Sequence, residues 1–282
     1  MTHRSIRRRA VNVVMLGLTA VATAASVAVL FFLLGYLIYQ GGSSLNWAFF
    51  TQLPKPMGEA GGGMANAIMG SGKLLLIAAC TGLPVGFLAG LYLSEFASRP
   101  VAAVVRYAAD LLNGVPSIVI GIFAYTLIVL RAKHFSALAG GLALGLMMIP
   151  IMTRATEEFL RAVPRALREA SLALGASRVV TIARVVVPAA SRGILTAAML
   201  GLARVAGETA PLLFTALNNR FWSSGFDQPV ASLPVMIYTY ALSPYEDWQR
   251  QAWAAGLVLL TLVLVANIAA RLLLGRRRLT SG

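Results

Sequence analysis

The chain has 282 residues, of which 58% are hydrophobic and only 12% charged. A soluble domain carries about a quarter charged residues to keep its surface wet, so a water-soluble globule is excluded and a lipid-facing surface is expected. The formal net charge of +14 would suit nucleic acid, but a Lys/Arg excess on one side of a membrane explains it more simply.

In chain order, Arg4, Arg7, Arg8 and Arg9 precede an uncharged run, Val11–Tyr39. That run is too long for the apolar region of a signal peptide and several more follow it, so it reads as a retained first helix. Further uncharged stretches occur at Leu74–Ser94, Leu111–Leu130, Phe135–Thr153 and Ala252–Ala270. Each approaches the roughly 20 apolar residues that a helix needs to cross a bilayer. Gly193–Leu217 meets the same test except for Arg204 and Glu208, and brings the total to about six spans. Pro84, Pro116, Pro150 and Pro211 fall within or at the ends of these spans, where they kink helices or open polar paths. The single cysteine, Cys80, sits in an apolar run and reads as a buried, inert thiol. His3 and His134 lie far apart, and no metal-ligand spacing is present.

The bases are placed unevenly. Seventeen of the 24 Lys and Arg residues fall in the N-terminal segment, the second-to-third connection, the fourth-to-fifth connection and the C-terminal end. The alternate connections hold only Lys55, Arg131, Lys133, Arg220 and Arg250. With six spans, all the Arg-rich segments share one side, which the positive-inside rule makes the cytoplasm. The expected organisation is a basic N-terminal segment at 1–10, a transmembrane domain at 11–275 and a tail at 276–282, with both termini cytoplasmic.

The connection Arg154–Arg192 is too long for a turn between neighbouring helices. Pro164 suits the first turn of a helix continuing through Arg165–Leu174, and Gly175 suits its C-terminal stop. Ser177 can cap a second helix running to Val187 and ending at Pro188. Leu167, Leu172 and Leu174 are apolar and can dock into another surface, while arginines at the other positions can meet acidic groups or lipid. From physics alone the segment is either an amphipathic stretch lying on the membrane or a docking element for a cytoplasmic partner.

Here the residues carry a resemblance. Glu169-Ala170-Ser171-Leu172-Ala173-Leu174-Gly175, then nine residues, then Val185-Val186-Val187-Pro188, resembles the EAA loop of ABC-importer permeases. The Glu, first Ala, Gly, Pro and spacing match. Ser171 replaces the second Ala, and valines replace the Ile and Leu of that pattern. The resemblance implies that Pro164–Pro188 forms a coupling helix seated in a groove of an ATPase subunit, with Glu169, Ala170, Gly175 and Pro188 as coupling residues. Three further stretches, Asn113–Gly121, Arg204–Thr215 and Gly61–Ile68, are similar to phosphate permeases of the PstA type rather than the PstC type. The fold so implied is all-α: a type I, MetI-like permease core of five helices plus an N-terminal helix.

The same resemblance implies partners: a second, non-identical permease of the PstC type, a dimer of cytoplasmic ATPase subunits and an extracytoplasmic phosphate-binding protein in a bacterial inner membrane. No cofactor is expected on this chain; ATP and Mg belong to the ATPase. Gly70-Ser71-Gly72-Lys73 fails as a phosphate-binding loop, since Ala67 and Leu74 stand where that motif needs Gly and Ser/Thr. Permeation of another oxyanion, or gradient-driven secondary transport, are the alternatives.

Ionisable residues inside spans are rare and face a bundle interior or a polar cavity. Counting about 1.5 Å per residue from Gly193 places Arg204 near the midplane, with Glu208 a turn further along the same face. The two can pair with each other, or Arg204 can hold an oxyanion with its fork of donors while Glu208 tunes the site. Thr209, Asn113 and Ser117 are further pathway candidates, although small polar residues also join helices together. Asp110 reads as a cap and Lys73 as a snorkelling side chain.

Overall fold

The computed structural model describes residues 3–276, and among these the regular structure is helical apart from one isolated bridge between Pro54 and Gly62. The tail beyond Arg276 lies outside the described residues. Helix α1 (His3–Gly42) carries no charge from Val11 to Tyr39 and is almost wholly exposed there, so that part of its surface faces lipid. It leans on the last helix through Tyr36, edge-on to Trp253 at 5.2 Å between ring centroids. A short helix, α2 (Trp47–Thr51), is capped by Asn46 and puts the buried Phe49 into a core cluster with Met64, Leu233 and Trp248.

The centre of the bundle is the pair α3 (Ala65–Glu95) and α6 (Ala137–Arg161). Gly82, Gly86 and Gly90 recur every fourth residue on one stripe of α3. A Cβ at Gly82 would come 2.8 Å from Gly145 O, one at Gly86 2.5 Å from Met152 Cβ, and one at Gly90 2.5 Å from Thr153 O. Lipid tails are as apolar as leucine, so helices in a bilayer associate by close backbone approach rather than by the hydrophobic effect, and only glycine permits it here. Cys80 lies on the opposite side of α3 and is exposed in this chain, contrary to the buried thiol expected from the sequence.

Two expected spans are broken. The stretch Leu111–Leu130 is not one helix: α4 (Arg99–Gly114) and α5 (Ser117–Ala132) meet at a bend of 101°. Pro116 drives the preceding residue out of the helical region, and Val115 has ψ 130. Gly193–Leu217 is likewise interrupted. Helix α8 (Arg178–Ala206) ends at Gly207, and a separate short helix, α9 (Ala210–Thr215), follows. Pro188 does not end a helix. A π turn at Ile182–Val186, with Val187 N–H donating to Ile182 O, widens the chain just ahead of the proline ring, and α8 runs through. The expected second cytoplasmic helix is therefore the foot of a span. Likewise Arg154 and Arg161 belong to α6 rather than to the loop.

The chain closes with α10 (Leu233–Ala241) and α11 (Glu246–Arg276). The supposed phosphate-loop mimic finds its use at this end. Ser71 Oγ accepts a hydrogen bond from Leu233 N at 2.8 Å and so holds the start of α10. Lys73 reaches Ser223 O and, at 3.4 Å, Gly225 O.

Candidate functional site

Helix α7 (Arg165–Ala173) is the local structure expected of the loop. Pro164 caps its start, and its end carries both bonds of a Schellman motif. Gly175 N–H donates to Leu172 O at 2.9 Å and Ala176 N–H to Ser171 O at 3.2 Å. Gly175 has φ +83, the left-handed conformation that this motif requires. Ser177 Oγ accepts from Val180 N at 3.4 Å and opens α8, as expected. Leu167, Leu172 and Leu174 are exposed, Leu174 at 89%. Glu169 and Ala170 are exposed beside them. Pro188 sits apart, on α8.

Around this helix lies a set of ion pairs that the sequence reading did not single out. Glu95, the last residue of α3, accepts from Arg168 Nη1 at 2.8 and 2.7 Å, while Arg168 Nη2 reaches Leu160 O at 2.7 Å. Arg178 Nη2 donates to Glu95 O. Glu157 on α6, its side chain 3% exposed, faces Arg106 at 2.7 Å, Arg161 at 3.0 Å and Arg154 at 3.2 Å. Asp110 is no cap; it pairs with Arg154 Nε at 3.0 Å. Arg154 and Arg161 lie three and four residues from Glu157, the spacing of helical neighbours, and that was the available signal.

The pathway candidates gather at the two breaks. Asn113 ends α4, Ser117 opens α5, Arg204 lies in the last turn of α8, and Glu208 and Thr209 fall between α8 and α9. Within a turn of both breaks, α5 crosses α9 so closely that a Cβ at Gly121 would sit 2.6 Å from Pro211 Cα. Gly201 packs toward Met148 and Ile151, around the midpoint of α6. Arg204 is three residues further, about 4.5 Å along the axis. Glu208 does not continue the same helical face, because the helix has already ended at Ala206. Among the described residues Arg204 and Glu208 form no ion pair with each other or with any other group. Arg204 is exposed and Glu208 half-buried. An arginine turned to lipid at mid-bilayer costs about 2.5–3.5 kcal/mol on the insertion scale, so this face suits water or a neighbouring subunit.

A multi-helix bundle fit for a membrane, with one short exposed helix on its basic side, defines a polytopic membrane protein. Residues 82–279 match the family described as "Binding-protein-dependent transport system inner membrane component", and the chain belongs to it. Three proteins named phosphate transport system permease protein PstA, the third as probable, are among its relatives. The Yersinia pestis protein is 44% identical over 92% of this chain and 90% of its own length. That of Xylella fastidiosa strain Temecula1 is 43% identical over 98% and 97%, and that of Methanocaldococcus jannaschii 38% over 74% and 75%. An inward-facing MetNI methionine ABC transporter superposes with a TM-score of 0.60 at 20% identity, covering 74% of this chain and 95% of that one. A structure of an amino acid ABC transporter with histidines gives 0.52 at 17% identity, over 76% and 92%. These two share the fold.

Proposed function

We propose that this chain is the permease subunit of an ATP-driven phosphate importer and forms one half of the translocation pathway. The observation that carries this reading is the pairing of PstA relatives over nearly the whole chain with Arg204, exposed and unpaired near the middle of the bundle. A guanidinium fork offers a tetrahedral oxyanion two parallel donors, and Glu208 beside it disfavours a second negative charge. Thr209, Asn113 and Ser117 add hydrogen-bonding groups along the same breaks.

The exposed arginine calls for a second permease to complete the pathway, of the PstC type by the sequence resemblance. Exposed Leu167, Leu172 and Leu174 on α7 suit a groove in a cytoplasmic ATPase dimer, which would hold ATP and Mg. An extracytoplasmic phosphate-binding protein would deliver the anion. The Arg-rich side lies in the cytoplasm, with both termini, in a bacterial inner membrane.

The test is reconstitution of this chain with its partner permease, ATPase and binding protein in liposomes. Phosphate is expected to stimulate ATP hydrolysis and to accumulate only when ATP is supplied. Stimulation by sulfate or molybdate instead would reassign the anion. Uptake driven by an ion gradient without ATP would remove the chain from ATP-driven transport.

A further inference from the structure

Helix α7 is the element on which an ATPase would act, yet none of its residues is buried. Burial of apolar side chains is the usual way a helix is held, so α7 is attached otherwise. Two polar links tie it to the bundle. Ser171 Oγ lies 2.9 Å from Thr181 Oγ1 at the foot of α8. Arg168 makes the stronger link: Nη1 spans both oxygens of Glu95 at 2.8 and 2.7 Å, and Nη2 reaches Leu160 O at 2.7 Å. One guanidinium thus joins α7 to the ends of both α3 and α6.

Glu95 is an unusual residue for its place. A carboxylate on the last turn of a helix opposes the helix dipole, and this one has a side chain only 5% exposed. Burial without partners would be costly, and Arg168 answers it, with Ser94 Oγ also donating to Glu95 Oε1 at 3.0 Å. The acid is held where fold stability alone would not put one. From Glu95 inward, the Gly82, Gly86 and Gly90 stripe locks α3 to α6, and Met148 and Ile151 of α6 meet Gly201, one turn before Arg204.

Building on the permease reading above, we infer that Arg168 and Glu95 form the clamp through which movement of the docking helix is delivered to the α3–α6 pair and so to the pathway. Arg168 and Glu95 are positioning residues; neither touches the anion. A fork is required because two acceptors on different helices must be gripped at once. Lysine supplies the charge but is a single point.

The experiment uses the complete reconstituted complex and compares Arg168→Gln, Arg168→Lys, Glu95→Gln and the double Gln variant. Phosphate uptake, ATP hydrolysis and the amount of ATPase bound per permease are measured together. ATPase binding and ATP hydrolysis are expected to persist in Arg168→Gln while uptake per ATP falls roughly tenfold. Arg168→Lys should show an intermediate loss. The double variant should be no worse than Arg168→Gln, since both remove one link. Should the Gln variants fail to reach the membrane, the Lys variant decides by the same ratio. Unchanged uptake per ATP overturns the clamp. So does uptake that falls only in proportion to bound ATPase, which would make the pair part of the docking surface. A wild-type complex that fails to transport phosphate would instead remove the permease reading.

Discussion

Glu157 and Glu208 are both carboxylates in an apolar bundle, and their surroundings differ completely. Glu157 is 3% exposed and faces three arginines from two helices. Glu208 lies half-buried at a break, four residues from an exposed arginine with which it forms no pair. The charges at the helix ends around α7 are answered within the chain, as the pairs of Glu95 and Asp110 also show. Those at the breaks are not. Paired charges hold helices in place; unpaired ones inside a membrane protein imply a second body, whether partner, water or substrate. Loss of a pair inside the bundle, as at Glu157, should therefore cost stability, and loss of the unpaired charges should cost transport. Loss of the Arg168–Glu95 pair, which ties α7 to the bundle, should cost the coupling of ATP hydrolysis to uptake.

The largest expected effect is on uptake. Arg204→Lys keeps the charge and loses the fork, and should cut phosphate uptake by roughly tenfold or more, about 1.4 kcal/mol in transport free energy. Replacing Arg204 and Glu208 together with Met should abolish uptake, yet shift the stability of the purified chain by no more than about 0.5 kcal/mol. Uptake assays normalised to membrane protein, with thermal unfolding in detergent, separate these outcomes. Wild-type uptake in the double variant would show that the two residues have no part in transport.

Next comes Glu157→Gln. Removing one partner of a buried pair costs about 3–5 kcal/mol. The arginine side chains here retain 28–50% exposure and can partly rehydrate, so the low end, about 3 kcal/mol, is expected. The result should be a lower unfolding temperature and less protein in the membrane, with uptake per remaining molecule close to wild type. A stable Glu157→Gln variant that does not transport would erase the distinction drawn above.

The contrast between the two regions also explains what the amino-acid sequence reveals. Helix α7 is legible because its signals are local: Pro164 before it, Gly175 after it and Ser177 opening the next helix each act through neighbouring backbone groups. The breaks were missed because hydropathy averages over them. Val115–Pro116 and Gly207–Thr209 sit in runs apolar enough to pass as single spans, and only the tertiary fit of Gly121 on Pro211 reveals two helices crossing. Pro188 misled in the other direction, since nothing in its neighbours announces the π turn that absorbs it. The Gly82, Gly86 and Gly90 stripe was visible as a spacing of four, but a spacing does not say which helix it meets. The arginines drew attention as a count on one side of the membrane. Their acceptors, Glu95 and Glu157, went unread because they are contributed by helices distant in the chain from several of those arginines.

A smaller effect is expected from Asp110→Asn. This pair has exposures of 39% for Arg154 and 56% for Asp110, and Arg154 keeps Glu157 as a second partner. Exposed pairs contribute about 0–1 kcal/mol, so the unfolding temperature should barely move. A loss comparable with that of Glu157→Gln would mean that the bend between α4 and α5 depends on this link. The shape of the pathway would then rest on a charge pair within the chain.

The smallest effect concerns His134, in the connection before α6. Its Nδ1 lies 2.8 Å from Ala132 O and its Nε2 2.7 Å from Asp227 Oδ1. A carbonyl can only accept, so Nδ1 carries a proton; a carboxylate opposite Nε2 favours a second proton there. The hydrogen bond to Asp227, then that to Ala132, raise the imidazole above its ordinary value of 6.5. A value raised in the folded state contributes stability that is fully present below 6.5 and fades as pH climbs through the raised value. Both side chains are exposed, at 41% and 72%, so salt screens the pair. The unfolding temperature should therefore drop slightly at low salt as pH rises from 6.5 through the raised value. Asp227→Asn should flatten that drop, and so should raising the salt. A drop that persists unchanged in Asp227→Asn would place the titrating group elsewhere and leave the His134–Asp227 contact without energetic weight.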